Sequence, residues 1–265
     1  MNLVDVHCHL NHELLKPQLD AVLKRAEKAG VKSIILSGVN PEGNIDVLEL
    51  AKKHPLIKAS LGIYPIEAIG LGSDETGLPE HDGKINLEEQ FKFIEGNISD
   101  VVAIGEVGMD FHWASKDTYD EQAANFRKII QFAIKVKKPI VIHSRKAEEE
   151  CLLILEEEIK NKEIPVILHC FSGRKALMTK AIGLGYYFSI PPHIVKSSNF
   201  QTLVKKAPLD QLLTETDAPW LSPFKDKTNE PAYVVEAIKK IAKIKDISEE
   251  EVAKQIWQTF LKVFS

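Results

Sequence analysis

Eight short apolar runs recur along the chain, and most are followed by a stretch whose apolar residues return at helical spacing. The runs are LVDVH (from Leu3), KSIILSG (from Lys32), IKASLGI (from Ile57), VVAIGE (from Val101), PIVIH (from Pro139), PVILH (from Pro165), YYFSI (from Tyr186) and QLLTETD (from Gln211). Between them lie segments such as LDAVLKRAEKAG, IDVLELAKKH, QAANFRKIIQFAIKVK and EECLLILEEEIKN. Each has an apolar stripe and a charged face, as an amphipathic helix requires. Gly30 closes the first of them as a C-cap. Eight strand–helix units favour a closed parallel barrel of the (β/α)8 TIM type, an α/β fold, over an open sheet. An open doubly wound sheet needs fewer strands and often carries a glycine-rich nucleotide turn. Here no GxGxxG follows the first run, and no GxxxxGK[ST] occurs. Residues 1–265 are therefore expected to form one domain. The longest irregular stretch, Glu67 to Asn86, follows the third run, and loops of that length are commonly functional.

In such a barrel the C-terminal strand ends converge on one face, where active sites sit. Strand one ends in His7 and His9, strand four in Glu106, strand five in His143, strand six in His169 and strand eight in Asp217. Alternation puts Asp5, His7 and His9 on one face of the first strand, opposite Val4, Val6, Cys8 and Leu10. Any one of these polar residues reads most simply as a satisfied structural group, or as the wet face of a half-exposed strand. Six of them at strand ends read as a metal site. Imidazole and carboxylate suit zinc, manganese or iron. Four His and two carboxylates exceed one tetrahedral site and suit two ions about 3.5–4 Å apart that share a carboxylate. Glu106 is the natural bridge, Asp217 a ligand and the proton acceptor for the attacking water, and Asp5 an anchor behind the ligands. The other histidines sort apart: His12, His54 and His81 are expected at the surface, and His112 and His193 beside the mouth.

Composition narrows the setting. No apolar run reaches the roughly 18 residues of a membrane span, and no signal peptide is visible. Three cysteines without CxxC spacing read as reduced thiols of a cytoplasmic protein. A formal charge of −4 gives no bulk attraction to nucleic acid, so any phosphate must be gripped locally. Arg145, two past His143, can reach a phosphate oxygen bidentately, or can pair with a neighbouring helix glutamate. Ser172 and Gly173, in FSG, are expected to open the helix after strand six, whose free N–H groups can cradle an anion.

The motifs VDVHCHLN, GIYP, IGEVGMDF, PIVIHSR, LHCFSG, LLTETDAPWLSP and TNEPAYV, in this order along the whole chain, resemble the TatD family of metal-dependent deoxyribonucleases, within the amidohydrolase-like barrels. The resemblance implies that His7, His9, Glu106 and Asp217 hold one divalent ion (Mg, Mn or Zn) and that Glu106, His143 and His169 hold the other. Glu215, of the ETD motif, orients a ligand or the water, or is a satisfied interior carboxylate. Barrels of the wider superfamily often bridge their metals with a carboxylated lysine, whereas strand four offers Glu106. Tyr64 stands where the family usually has a His resembling a substrate-phosphate contact. Val6 replaces a small residue, facing away from the site, and Thr259 replaces an Asn near the C-terminus. The function implied is a two-metal phosphodiesterase that trims DNA or another nucleic acid from its ends. The alternative is metal-dependent ester or amide hydrolysis, as in an aminoacyl-tRNA deacylase. A non-catalytic interaction barrel would be expected to have lost ligands, and all six are present.

Overall fold

All eight apolar runs become strands: β1 Leu3–Cys8, β2 Val31–Ser37, β3 Ile57–Leu61, β4 Val101–Gly108, β5 Ile140–His143, β6 Val166–Leu168, β7 Tyr187–Ile190 and β8 Leu212–Thr214. The computed structural model describes residues 1–72, 76–159 and 163–264. The strands pair in parallel and in sequence order from β1 to β8. Between β8 and β1 the ladder is replaced by a few specific bonds. Thr214 Oγ1 donates to the Val4 carbonyl (2.6 Å); farther along, Asp217 N donates to the His7 carbonyl (2.9 Å) and His9 N to the Ala218 carbonyl (2.8 Å). The eight-stranded barrel is thus nearly closed, and its seam runs directly beside the strand-one histidines.

The intervening helices are α1 Leu19–Ala29, α2 Pro41–Lys53, α3 Pro65–Ala68, α4 Leu87–Gly96, α5 Tyr119–Val136, α6 Glu148–Glu158, α7 Lys175–Leu184, α8 Ser198–Lys206, α9 Val234–Lys245 and α10 Glu249–Phe264. Their buried stripes pack against the outer faces of the strands. In α1 the stripe is Leu19, Val22, Leu23 and Ala26; in α5 it includes Phe126, Ile129, Ile130 and Ala133. Full burial of each large apolar side chain contributes about 1.5–3 kcal/mol, so these stripes fix the helices to the barrel. Gly30 stops α1 in the left-handed region (φ 96°), as its place in the sequence predicts. Asn40 caps α2 by accepting from Gly43 N (2.8 Å). No helix among the described residues is long and apolar enough to cross a membrane.

Three local expectations shift. β1 is buried on both faces, with Asp5 and His7 fully inaccessible, so the wet-face reading of that strand fails. The stretch from Glu67 begins inside α3, because Pro65 presets a helical first turn; its residues 73–75 lie outside the described residues. The helix after β6 starts at Lys175 with Arg174 as its N-cap residue. Ser172 and Gly173 therefore stand in the preceding loop and do not open the helix. The tail of EECLLILEEEIKN, at 160–162, also lies outside the described residues.

Candidate metal centre

The strand ends bring all six sequence-expected ligands together. His7 Nε2 lies 3.2 Å from His9 Nε2, 3.3 Å from Glu106 Oε2 and 3.6 Å from Asp217 Oδ1. His9 Nε2 lies 3.6 Å from both Glu106 Oε2 and Asp217 Oδ1. A cation bound tetrahedrally at about 2.0–2.2 Å has ligand atoms about 3.3–3.6 Å apart, so His7, His9 and Asp217 are spaced for an ion of zinc's reach, with Glu106 Oε2 beside both histidines. On the other side of Glu106, Oε1 lies 2.7 Å from His143 Nδ1 and 3.5 Å from His169 Nε2. One carboxylate therefore faces both donor sets. Gly62, just past β3, lets this happen: a Cβ there would stand 2.3 Å from the Glu106 backbone nitrogen.

Behind the ligands stands a ring of hydrogen-bond partners. Ser37 Oγ, on β2, lies 3.1 Å from His7 Nδ1. Asp110 Oδ2 lies 2.8 Å from His143 Nε2, and Glu215 Oε2 lies 2.9 Å from His169 Nδ1. A carboxylate only accepts, so each draws a proton to the ring nitrogen facing it; with an ion bound, the other nitrogen would turn its lone pair to the centre. Glu215 also accepts from Ser189 Oγ (2.6 Å) and Cys170 N (2.9 Å). Its two oxygens are thus fully engaged, one of them on His169 Nδ1. Asp110 is held in turn by Gln122, whose side chain bridges its N–H and carbonyl. Asp5 accepts from His7 N (3.3 Å), Thr216 N (2.9 Å) and the Thr216 hydroxyl, tying β1 to the turn that carries Asp217. Asn229, from TNEPAYV, supports the same turn by donating to the Thr216 carbonyl (2.7 Å). His9 Nδ1 is buried with no hydrogen-bond partner among the described residues.

The electrostatics match a site built for cations. Burial alone would raise the Glu106 carboxyl, but His7, His169 and His143 hold it well below the usual range. Burial works against charged His143 and His169, yet the carboxylates win. Asp110 and Glu106 raise His143 to about 9, and Glu215 and Glu106 raise His169 to about 10. Asp217 is lowered despite burial, through its hydrogen bond to His9 and the charge of His169. With no cation bound, protons on imidazole supply the positive charge that these acids demand.

A cavity of about 380 Å³ opens on the centre and is lined by His9, Glu106, His143, His169 and Asp217. Tyr64, Arg145 and Ser172 line it as well. Tyr64 donates its hydroxyl to Asp110 Oδ2 (2.9 Å), the oxygen that also meets His143. The Arg145 guanidinium lies 5.4 Å over the Trp113 ring, and Ser172 Oγ donates to Glu148 (2.9 Å). Gly173 does not reach the lining. Glu67 and Trp220 do, and neither was singled out from the sequence. Glu67 is pushed up to about 7 by burial, against a bond from Asn40 Nδ2 (2.6 Å).

His12 corrects the sequence reading. It is buried, with Nε2 2.9 Å from the Thr76 carbonyl and Nδ1 accepting from Leu14 N (3.1 Å), because the turn after β1 folds under the Thr76 segment. His54 and His81 are half-buried. His112 is exposed, and neither it nor His193 lines the cavity.

The family model described as TatD related DNase matches residues 4–265. The chain is 33% identical to the human deoxyribonuclease TATDN3 over all of this chain and 95% of that protein. It is equally similar, at 33%, to an uncharacterized metal-dependent hydrolase of Bacillus subtilis, YabD, over 95% of this chain and 94% of that one. Among solved structures it resembles YJJV, a TatD homolog of Escherichia coli, with a TM-score of 0.86, 25% identity and coverage of 99% and 97% of the two chains.

Proposed function

The chain belongs to the TatD-related DNase family and is a metal-dependent hydrolase, and from that premise we propose a two-metal phosphodiesterase that removes nucleotides from DNA ends. The observation that carries this reading is the split of Glu106: Oε2 faces His7 and His9, while Oε1 faces His143 and His169. Two divalent ions held there, by His7, His9, Glu106 and Asp217 and by Glu106, His143 and His169, would activate a water and clamp the phosphate oxygens. The residues do the rest. Asp217 takes the proton from the attacking water. Its side chain is 17% exposed against 5% for Glu106, so it is the ligand carboxylate that solvent reaches. Arg145, supported on Trp113, meets the phosphate, with Ser172 at the rim. Tyr64 braces Asp110, which orients His143. A cavity of about 380 Å³ is near the small end of the about 300–1,000 Å³ range of ligand sites and suits one chain end more than a passing duplex.

Replacing Asp217 by Asn tests the reading. The fold should persist while hydrolysis of a labelled DNA strand falls about 10²–10⁴-fold, the usual contribution of a general base. Near-normal turnover at saturating metal would show that the proton goes elsewhere. Hydrolysis of aminoacyl-tRNA with DNA left intact would assign the same centre to ester chemistry.

A further inference from the structure

Trp220 stands at the cavity wall with no part in holding ions. Its backbone N donates to the Asp217 carbonyl (2.9 Å), so the indole is tied to the residue that carries the base. Two imidazoles brace it. The His9 ring centroid lies 5.4 Å away with planes at 67°, and the His12 centroid lies 5.4 Å away with planes at 87°. His12 cannot turn freely, since both of its ring nitrogens are engaged. This gives the buried His12 a purpose that the metal centre does not. The chain past Trp220 is pinned as well, with Asn229 N on the Pro219 carbonyl (3.0 Å). Phe200 and Leu221 add apolar surface to the same lining, and Arg145 adds a cation to it.

A rigid aromatic side chain next to a phosphate-handling centre has the form of a stacking site. Aromatic rings lose little rotamer freedom on binding, and every nucleobase presents a π-face to them. We propose that Trp220, braced by His9 and His12, is the stacking platform for the nucleobase of the residue whose ester is cut. This inference rests on the nucleic-acid reading above and deepens it by naming what holds the base.

The test uses two short DNA strands, identical except that one lacks the base on its terminal residue. Metal-loaded wild-type protein should cleave the intact strand with a kcat/KM about 5- to 150-fold above that for the abasic one. In Trp220→Ala that preference should collapse towards unity, and Trp220→Phe should keep most of it. Trp220→Leu, which preserves apolar bulk without a π-face, should lose it and decides the question if the Ala variant does not fold. Retention of the wild-type preference in Trp220→Leu or Trp220→Ala overturns the platform and leaves the nuclease reading intact. Failure of the wild type to cleave either strand overturns both.

Discussion

Glu215→Gln is the substitution that separates a ligand-orienting carboxylate from a merely buried one. In the native site one oxygen accepts from both His169 Nδ1 and Ser189 Oγ, and the other accepts from Cys170 N. Gln has the same shape but only one acceptor oxygen. If that oxygen stays on Cys170 N, the amide NH2 faces His169 Nδ1 and forces the ring to carry its proton on Nε2. That proton then points at Glu106 Oε1, 3.5 Å away, where the lone pair is needed. If the amide flips, its NH2 meets the Cys170 N–H and leaves that buried donor unpaired. Either arrangement costs about 1–3 kcal/mol. With the amide NH2 on His169, the ion at the His143–His169 side should bind about 10–100-fold more weakly, as for other lost outer partners; with the amide flipped, the tautomer is kept and the loss appears as stability instead. The ion at His7, His9 and Asp217 should be affected far less. Competition against a chromophoric chelator, read as two binding steps, measures both affinities. Wild-type affinity at both steps together with wild-type unfolding stability in Glu215→Gln would refute the tautomer argument.

Two other perturbations follow from the same geometry. Asp5→Ala removes the acceptor of the buried Thr216 hydroxyl and the side-chain acceptor of the His7 and Thr216 N–H groups, leaving Thr216 N only its 3.3 Å bond to the His7 carbonyl, which should cost about 2–5 kcal/mol in denaturant unfolding. Asp5→Asn should be much milder, because burial already pushes the Asp5 carboxyl up to about 8 and Asn keeps an acceptor; equal losses for the two would contradict this. In chelator, the pH dependence of unfolding should follow His143 and His169, raised to about 9 and about 10. Their stabilisation is full below the ordinary His value of about 6.5 and is lost as pH rises through the folded values. Glu106, Glu215 and Asp217 are lowered, so their stabilisation is lost as pH falls below about 4.5. His7 is lowered by burial and also favours the folded state above its ordinary range. Asp5 and Glu67, raised to about 8 and about 7, add to the loss as pH climbs above the ordinary carboxylate range. The unfolding temperature of the metal-free protein should therefore decline from pH 6.5 towards pH 10, and a flat profile over that interval would count against the assignment.

Much of this was legible in the sequence because the barrel imposes a simple rule. Short apolar runs bounded by turns gave all eight strands, and the strand-end rule picked out His7, His9, Glu106, His143, His169 and Asp217, whose side chains converge at one end of the barrel. The orienting groups were harder to find. Ser37 ends β2, Ser189 lies next to the end of β7, and Asp110 follows β4 by two residues. Applying the strand-end rule to serines would have found the first two. Polar residues at strand ends are common, however, and only the partner across the barrel distinguishes an anchor from a solvated group. His12 was misread because a histidine in a turn is usually exposed, and its burial depends on a segment 64 residues away. The start of α7 was misread because the loop bearing Ser172 and Gly173 runs on to Arg174 before the chain turns helical.

Sharing of Glu106 between two ions is read out by anomalous diffraction from crystals loaded with Mn²⁺. Two peaks about 3.5–4 Å apart are expected, one among His7, His9 and Asp217 and one against His143 and His169, with a Glu106 oxygen on each. A single peak at saturating metal, or a second peak that Glu106 does not touch, would show that Glu106 does not bridge two ions.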